Sequence, residues 1–421
     1  MVNHLQKLKL KLAKAGKNQF VRNLGWLSGA EVIIRISRLA TTVVLARFFT
    51  DYDYGLAAIV TTTYSFTEVL SRNGIKAQLI QAEEQELEQL CHSAYWLNWV
   101  IFISLFILQC VAAFPIAWFY HDTALILPIC VMSVIYLFRP LYGIQFALTL
   151  RANRFKVRGF SDVVCLATSN LVTLILAFLG WGIWAIVCAK IFVAPLRAYI
   201  FLTSYSWKLS SKFTIHKWSS MFNFSRNILG VELLETLREN LDYLLIGRFI
   251  GIKELGVYYF AFNAGLGISL SITNAVKSAI LPHLCSLREN LAQLKQQYVK
   301  SLIVIALIII PLVLLQSSLA PLYVPIVFGN QWIEAIPILI IICLSAIPRP
   351  FAQAASQLLV TLGKPDLDLR WGIIFTTIFT LALLVGVQWQ ALGVAMTVLL
   401  VHIIALPLFT VWVTYYLWRL N

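Results

Sequence analysis

Gly29-Ala-Glu-Val-Ile-Ile-Arg-Ile-Ser-Arg-Leu-Ala-Thr-Thr-Val-Val-Leu-Ala-Arg-Phe-Phe-Thr-Asp-Tyr-Asp-Tyr-Gly55 is apolar enough to enter a bilayer, yet it carries Glu31, Arg35 and Arg38. The spacing i, i+4, i+7 puts these three on one helical face, so a polar stripe can point into a bundle or cavity while the rest meets lipid. The stretch recurs 201 residues on (230 − 29): Gly230 matches Gly29, Glu232 matches Glu31, Arg248-Phe249 matches Arg47-Phe48, and Gly256 matches Gly55. Five identities in 27 positions, ungapped and with charge falling on charge inside apolar sequence, mark a duplicated membrane protein.

The composition agrees. Of 421 residues 60% are hydrophobic and 12% charged, against about 45–50% apolar in soluble domains; the mean hydropathy is +0.80. Apolar spans are read at about 22–49, 54–75, 93–119, 123–150, 159–180, 182–203, 219–250, 255–282, 299–318, 332–362, 369–387 and 391–417. The expected fold is an all-α polytopic membrane protein of twelve transmembrane helices in two six-helix lobes. Equivalent helices six spans apart cross in the same direction, so the lobes are expected to be related by a pseudo-two-fold axis along the membrane normal. The expected divisions are a basic cytoplasmic segment over 1–20, an N-lobe over 21–205 and a C-lobe over 206–421, parted at the polar stretch 203–220 with Lys208, Lys212 and Lys217.

A net charge of +14 does not call for nucleic acid. With residue 1 placed inside, 21 of the 33 lysines and arginines fall in cytoplasmic segments and three (Arg47, Arg248, Lys253) outside, leaving nine in spans (33 − 21 − 3). That bias puts both termini in the cytoplasm. The first twenty residues, with Leu5, Leu8 and Leu12 among five lysines, suit either a helix on an anionic leaflet or a basic tail that only sets topology. The seven cysteines have no paired or CxxC spacing and read as apolar filler, and the six histidines are scattered; His402 reads as a hydrogen-bonded interior residue. No P-loop, metal cluster or large external segment is present. Catalysis is therefore disfavoured, and no cofactor is expected.

Within the spans, Glu68 and Arg72 at i, i+4 read as an internally neutralised pair. Phe138-Arg139-Pro140 and Ile347-Pro348-Arg349-Pro350, 210 residues apart (349 − 139), read as matching helix breaks near mid-membrane, each beside an arginine. Span seven carries Glu232, Glu235, Glu239 and Asp242 at i, i+3, i+7 and i+10, one acidic face.

Several runs resemble the polysaccharide-export family, that of the O-antigen and colanic-acid flippases, in the multidrug/oligosaccharidyl-lipid/polysaccharide transporter superfamily. They are Leu45-Ala-Arg-Phe-Phe-Thr-Asp-Tyr-Asp-Tyr-Gly-Leu56, Leu70-Ser-Arg-Asn-Gly-Ile-Lys-Ala-Gln-Leu-Ile80, Ala152-Asn-Arg-Phe-Lys156, Gly180-Trp-Gly-Ile-Trp184 and Ile246-Gly-Arg-Phe-Ile-Gly-Ile-Lys-Glu-Leu-Gly-Val-Tyr258. The resemblance implies two lobes forming a V with a cationic central cavity, in a bacterial plasma membrane. It also implies alternating-access flipping of an oligosaccharide linked through pyrophosphate to an undecaprenyl-type lipid, with a glycosyltransferase or polymerase as possible partner. Arginine's planar fork suits a pyrophosphate. Arg35 and Arg38, with Arg139, Arg226, Lys277 and Arg349, are the expected cavity cations, and Glu31 and Glu232 occupy equivalent places in the two lobes to hold or release them. The competing expectation pairs Arg35 permanently with Glu31 and Arg38 with a span-seven acid. Two alternatives stay open: an ion-coupled exporter of small cations with the same fold, and a non-transport membrane subunit of a glycan-assembly complex.

Overall fold

Thr50 and Asp53 start the best-defined helix by capping each other. The Thr50 amide and hydroxyl donate to Asp53 Oδ2 at 3.1 and 2.8 Å, and the Asp53 amide donates back to Thr50 Oγ1 at 3.1 Å. Two otherwise orphaned amides are satisfied this way, so a helix that ends at residue 48 reverses into the next within two residues. The short turn expected between spans one and two is there.

The computed structural model describes Ser37 and residues 40–71, 75–207 and 218–419, with the side chains of 219–228, 231 and many of 267–279 left undescribed. Among the described residues every regular element is helical. In chain order these are α1 (Asp51–Ser71), α2 (Ile75–Gln81), α3 (Glu84–Tyr120), α4 (Ile126–Ser133), α5 (Ile135–Arg151), α6 (Phe155–Phe178) and α7 (Ile183–Ser204). They continue with α8 (Trp218–Phe249), α9 (Ile252–Cys285), α10 (Leu291–Tyr323), α11 (Ile336–Ser345), α12 (Arg349–Thr361), α13 (Pro365–Gly386) and α14 (Gln390–Arg419). Among the described residues seven stretches are long and apolar enough to cross a membrane, the last of them, Pro365–Arg419, holding both α13 and α14. Helix α8, at 32 residues, matches them in length but is more polar, and α9 has 34 residues. The chain is a multi-pass membrane protein.

Two breaks interrupt long apolar runs, the first upstream of its proline and the second including Pro348, as expected. The first falls at Val134, between α4 and α5, with Pro140 inside α5 rather than at the break expected over 138–140. The second spans 346–348, ahead of Pro350 in the first turn of α12. At the second break Pro350 contributes, since its ring meets the carbonyl four residues back, that of Ala346; the first break lies six residues before Pro140 (140 − 134), beyond that reach. Apolar surroundings leave no water for the freed carbonyls, so side chains take them. Ser133 Oγ donates to the Cys130 carbonyl at 2.6 Å and Gln109 Nε2 to that of Ile129 at 2.9 Å. In the second half Ser345 Oγ donates to the Ile342 carbonyl at 2.7 Å. This serine stitch repeats at 212 residues (345 − 133).

By compactness the chain forms two units, one of Thr63–Glu232 with the chain up to Phe48, the other of Phe49–Thr62 with Leu233–Asn421. In the first, α7 packs on α6 and α5, and α3 on α4 and α5. Its interior includes Leu97, Ile129, Met132, Tyr136 and Ile144. In the second, α9 packs on α10, α11 and α12, and α14 on α11, α12 and α13. An aromatic nest closes one end of it: Trp332 lies 4.0 Å from Phe260, stacked, and 5.0 Å from Tyr54, edge-on.

The first three turns of α1 also belong to the second unit, and two glycines make that possible. A Cβ on Gly55 would overlap the backbone oxygen of Ile252, and one on Gly256 that of Asp51. These contacts obey the same 201-residue relation as the sequence repeat (252 − 51 and 256 − 55), so equivalent glycines admit equivalent backbones. Further along, Thr61 Oγ1 lies 3.3 Å from the Tyr259 hydroxyl, and Thr62 Oγ1 donates to Asn240 Oδ1 at 3.0 Å.

Candidate substrate-binding site

Exposure divides the helices into two kinds. Helices α3, α6, α7, α10, α13 and α14 show large apolar side chains outward, Trp118 at 76% and Leu307 at 70% among them, which is the face a bilayer covers. Helices α1, α5 and α9 show none among their described side chains, α8 only Phe249 at its end and α12 only Val360. What α8 and α9 expose midway is polar: Glu239 and Asn263. Glu239 precedes Phe249 by ten residues and Asn263 follows Ile252 by eleven, so at 1.5 Å per residue both lie about 15 Å from the shared turn, near mid-depth of a roughly 30 Å core. A carboxylate and an amide exposed at that depth require water.

The two arginines at the breaks, equivalent in sequence, differ in surroundings. Arg139 is held by three hydrogen bonds: its guanidinium donates to Glu68 Oε1 and the Tyr64 hydroxyl at 2.8 Å each and to Ser71 Oγ at 3.1 Å. Glu68 is thus held by α5, not only by the neighbouring turn; Arg72 lies outside the described residues. Lys190, an in-span cation not selected as a candidate, places Nζ 4.9 Å over the Tyr64 ring, within electrostatic reach of Glu68 and Arg139. The first unit thereby carries a compact Glu68–Arg139–Lys190 group with one excess positive charge.

Arg349 begins α12. Its Nε is buried without a hydrogen-bond partner, its side chain is partly exposed, and its guanidinium makes no hydrogen bond or close ion pair among the described residues. It lies 5.9 Å over the Phe262 ring, with Asp242 and Glu239 within electrostatic reach. Asp242 is buried and committed, accepting from the Tyr258 hydroxyl at 2.8 Å and from the Tyr243 amide at 2.9 Å. The single acidic face read along span seven therefore divides: Glu232 and Glu235 are half-buried, Glu239 is exposed, and Asp242 faces the interior. Arg238 sits 5.8 Å over the Phe375 ring. The structure thus brings Arg349 within electrostatic reach of Glu239 and over the Phe262 ring, one residue before Asn263 on α9, and brings Arg139 and Lys190 into one region of the first unit.

Of the other candidates, Arg226 and Lys277 lie on α8 and α9 with their side chains outside the description, and Glu31, Arg35 and Arg38 lie outside the described residues. His402 is interior as expected, but it is held by rings, with centroids 5.9 and 5.6 Å from Phe375 and Phe379, and its Nδ1 makes no hydrogen bond. All seven cysteines are free. Asn263 and Lys190 escaped selection because a lone amide or lysine in an apolar run has no spacing signature.

A sequence profile of the family described as polysaccharide biosynthesis protein matches residues 44–337, about seven-tenths of the chain. The chain belongs to this family. It is 26% identical over 380 residues to the teichuronic acid biosynthesis protein TuaB of Bacillus subtilis (strain 168), covering 89% of this chain and 78% of that one. It is 24% identical over 387 residues to the lipopolysaccharide biosynthesis protein WzxC of Escherichia coli (strain K12), covering 90% and 77%. Among solved structures, the lipid II flippase MurJ in an inward closed conformation superposes with a TM-score of 0.76 at 14% identity, over 92% of this chain and 86% of that one. An inward-facing multidrug resistance MATE family transporter gives 0.62 at 14% identity, over 92% and 96%. The family and the transporter fold agree with the resemblance seen in the sequence runs.

Proposed function

We propose that this chain is a flippase that moves a lipid-linked oligosaccharide, a polysaccharide precursor carried on an undecaprenyl-type pyrophosphate, across the bacterial plasma membrane by alternating access. The observation that carries this reading is Arg349: a guanidinium at a helix N-terminus in an apolar segment, partly exposed and without a hydrogen-bonded partner among the described residues. An unsatisfied buried donor is costly, and a phosphate supplies charge-assisted acceptors in the geometry a guanidinium fits. The relatives' roles in teichuronic acid and lipopolysaccharide biosynthesis support the same substrate class. The lipid tail needs no site, since it can stay in the bilayer.

The reading includes twelve spans, lobes over 21–205 and 206–421, both termini in the cytoplasm, and no enzymatic step. Arg35, Arg38, Arg226 and Lys277 are further cavity cations in this proposal, with Glu31 and Glu232 as their equivalent acidic neighbours. Arg139 is a further cavity cation in the same proposal: three of its donors hold α5 to α1, and its side chain remains partly exposed. A reconstituted assay that follows a fluorescent undecaprenyl-pyrophosphoryl sugar and a cationic dye across vesicles tests the proposal. Movement of the lipid-linked sugar alone is expected. Movement of the dye alone establishes the cation exporter, and movement of neither the assembly subunit.

A further inference from the structure

We propose that Glu239, Asn263 and the rings of Tyr259 and Phe262 form a sugar-binding subsite beside Arg349, reading the first residues of the glycan while Arg349 holds the pyrophosphate. The inference rests on the flippase reading and adds to it a place for the sugar.

Glu239 poses the question. It is exposed at mid-depth, within electrostatic reach of Arg349, yet the two form no close ion pair. A carboxylate repels a pyrophosphate, so its presence beside a phosphate-binding arginine is unfavourable unless something between them donates hydrogen bonds. Sugar hydroxyls are such donors, and an ionised carboxylate accepts from them more strongly than a neutral group does. Asn263 supplies the next contact. Its Nδ2 donates to the Tyr259 carbonyl one turn back at 2.8 Å, and the side chain is exposed. With the amide nitrogen occupied, Oδ1 is presented as an acceptor.

The rings complete the mixture. Phe262 and Tyr259 are partly exposed, and each packs edge-to-face on the buried Tyr243 at 5.3 Å. Tyr259 is also pinned at its hydroxyl by Thr61, 3.3 Å away. Partly exposed rings held in place by Tyr243 suit the C–H face of a pyranose, which is apolar while its rim is polar. Phe262 touches both functions, since Arg349 lies 5.9 Å over it. Four residues on adjacent turns of α8 and α9 thus present acceptors and apolar faces next to one cation, and none of them presents a free cation of its own. That is the recognition chemistry of a neutral sugar, not of a second phosphate.

The test uses purified full-length protein in nanodiscs and four probes: undecaprenyl pyrophosphate, and the same lipid bearing glucose, galactose or N-acetylglucosamine. Wild-type protein is expected to bind at least one sugar-bearing probe about tenfold more tightly than the bare lipid, the worth of one charge-assisted hydrogen bond. Glu239→Gln and Asn263→Leu should each erase that preference and leave bare-lipid affinity within about twofold, while Arg349→Gln weakens every probe together. No sugar preference in the wild type, or a preference that survives both substitutions, overturns the subsite. Unchanged bare-lipid binding by Arg349→Gln removes the pyrophosphate anchor instead, leaving the sugar preference to be judged alone. Bare-lipid affinity kept within about twofold by Glu239→Gln and Asn263→Leu also shows that both variants are folded.

Discussion

At the scale of single residues, Arg139 and Arg349 show that equal sequence context does not make equal chemistry. Arg139 is paired with Glu68, and both side chains are partly accessible, at 23% and 30%. Loss of either partner is expected to lower folded protein in the membrane, by less than the roughly 3–5 kcal/mol typical when a fully buried pair is broken. Glu68→Gln/Arg139→Gln should cost less than the sum of the single changes, because the lone charge is the expensive species. Thermal unfolding in detergent measures both. Arg349→Gln is expected to leave unfolding near wild type, since no hydrogen bond is lost, and to abolish transport; Arg349→Lys should remain impaired, as an ammonium lacks the bidentate fork. The same logic tests the first candidate stretch. If Arg35 binds the phosphate, Glu31→Gln/Arg35→Gln stays inactive at normal protein levels; normal transport by that variant would remove Arg35 from the site.

At the scale of elements, the crossing of α1 and α9 is set by what is missing from two residues. Gly55 and Gly256 bring backbone against backbone, and a methyl group at either place meets a carbonyl oxygen rather than a side chain able to move. Gly55→Ala and Gly256→Ala are each expected to destabilise by about 1–3 kcal/mol, the usual cost of overpacking. The double variant should cost less than their sum, because the first methyl already opens the crossing for the second. Additive losses, or none, in thermal-shift measurements would show that the helices do not meet there. The serine stitches call for a milder outcome: Ser133→Ala and Ser345→Ala each leave a buried carbonyl one donor short, worth about 1 kcal/mol. Removing both should add, since they lie in separate units.

At the scale of the whole molecule, topology is the exposed expectation. Both termini are predicted to be cytoplasmic, with Asp51, Asp53 and Lys253 on the external side. A C-terminal reporter fusion active only in the cytoplasm is the expected result; activity confined to the outside would overturn the twelve-span count. The placement follows from a bias of 21 to 3 in cations, which acts during insertion rather than through contacts in the finished fold. It therefore holds independently of which charges line a site.

The helical, membrane-embedded character of the chain was legible in residues alone. Hydropathy depends only on composition and order, and the bilayer imposes helices on any apolar chain that crosses it. The second break was legible too, at Ile347-Pro348, while the first falls at Val134, too far before Pro140 for that proline to announce it. Which charge is bound and which stands open was decided only by tertiary structure. Arg139 and Arg349 carry the same flanking proline, but Glu68, Tyr64 and Ser71 reach Arg139 from about seventy residues away, while the acid nearest Arg349 in the fold's interior is committed to Tyr258. Hydrogen bonding needs atoms within about 3 Å, and periodicity along one helix cannot say what another helix brings to that distance.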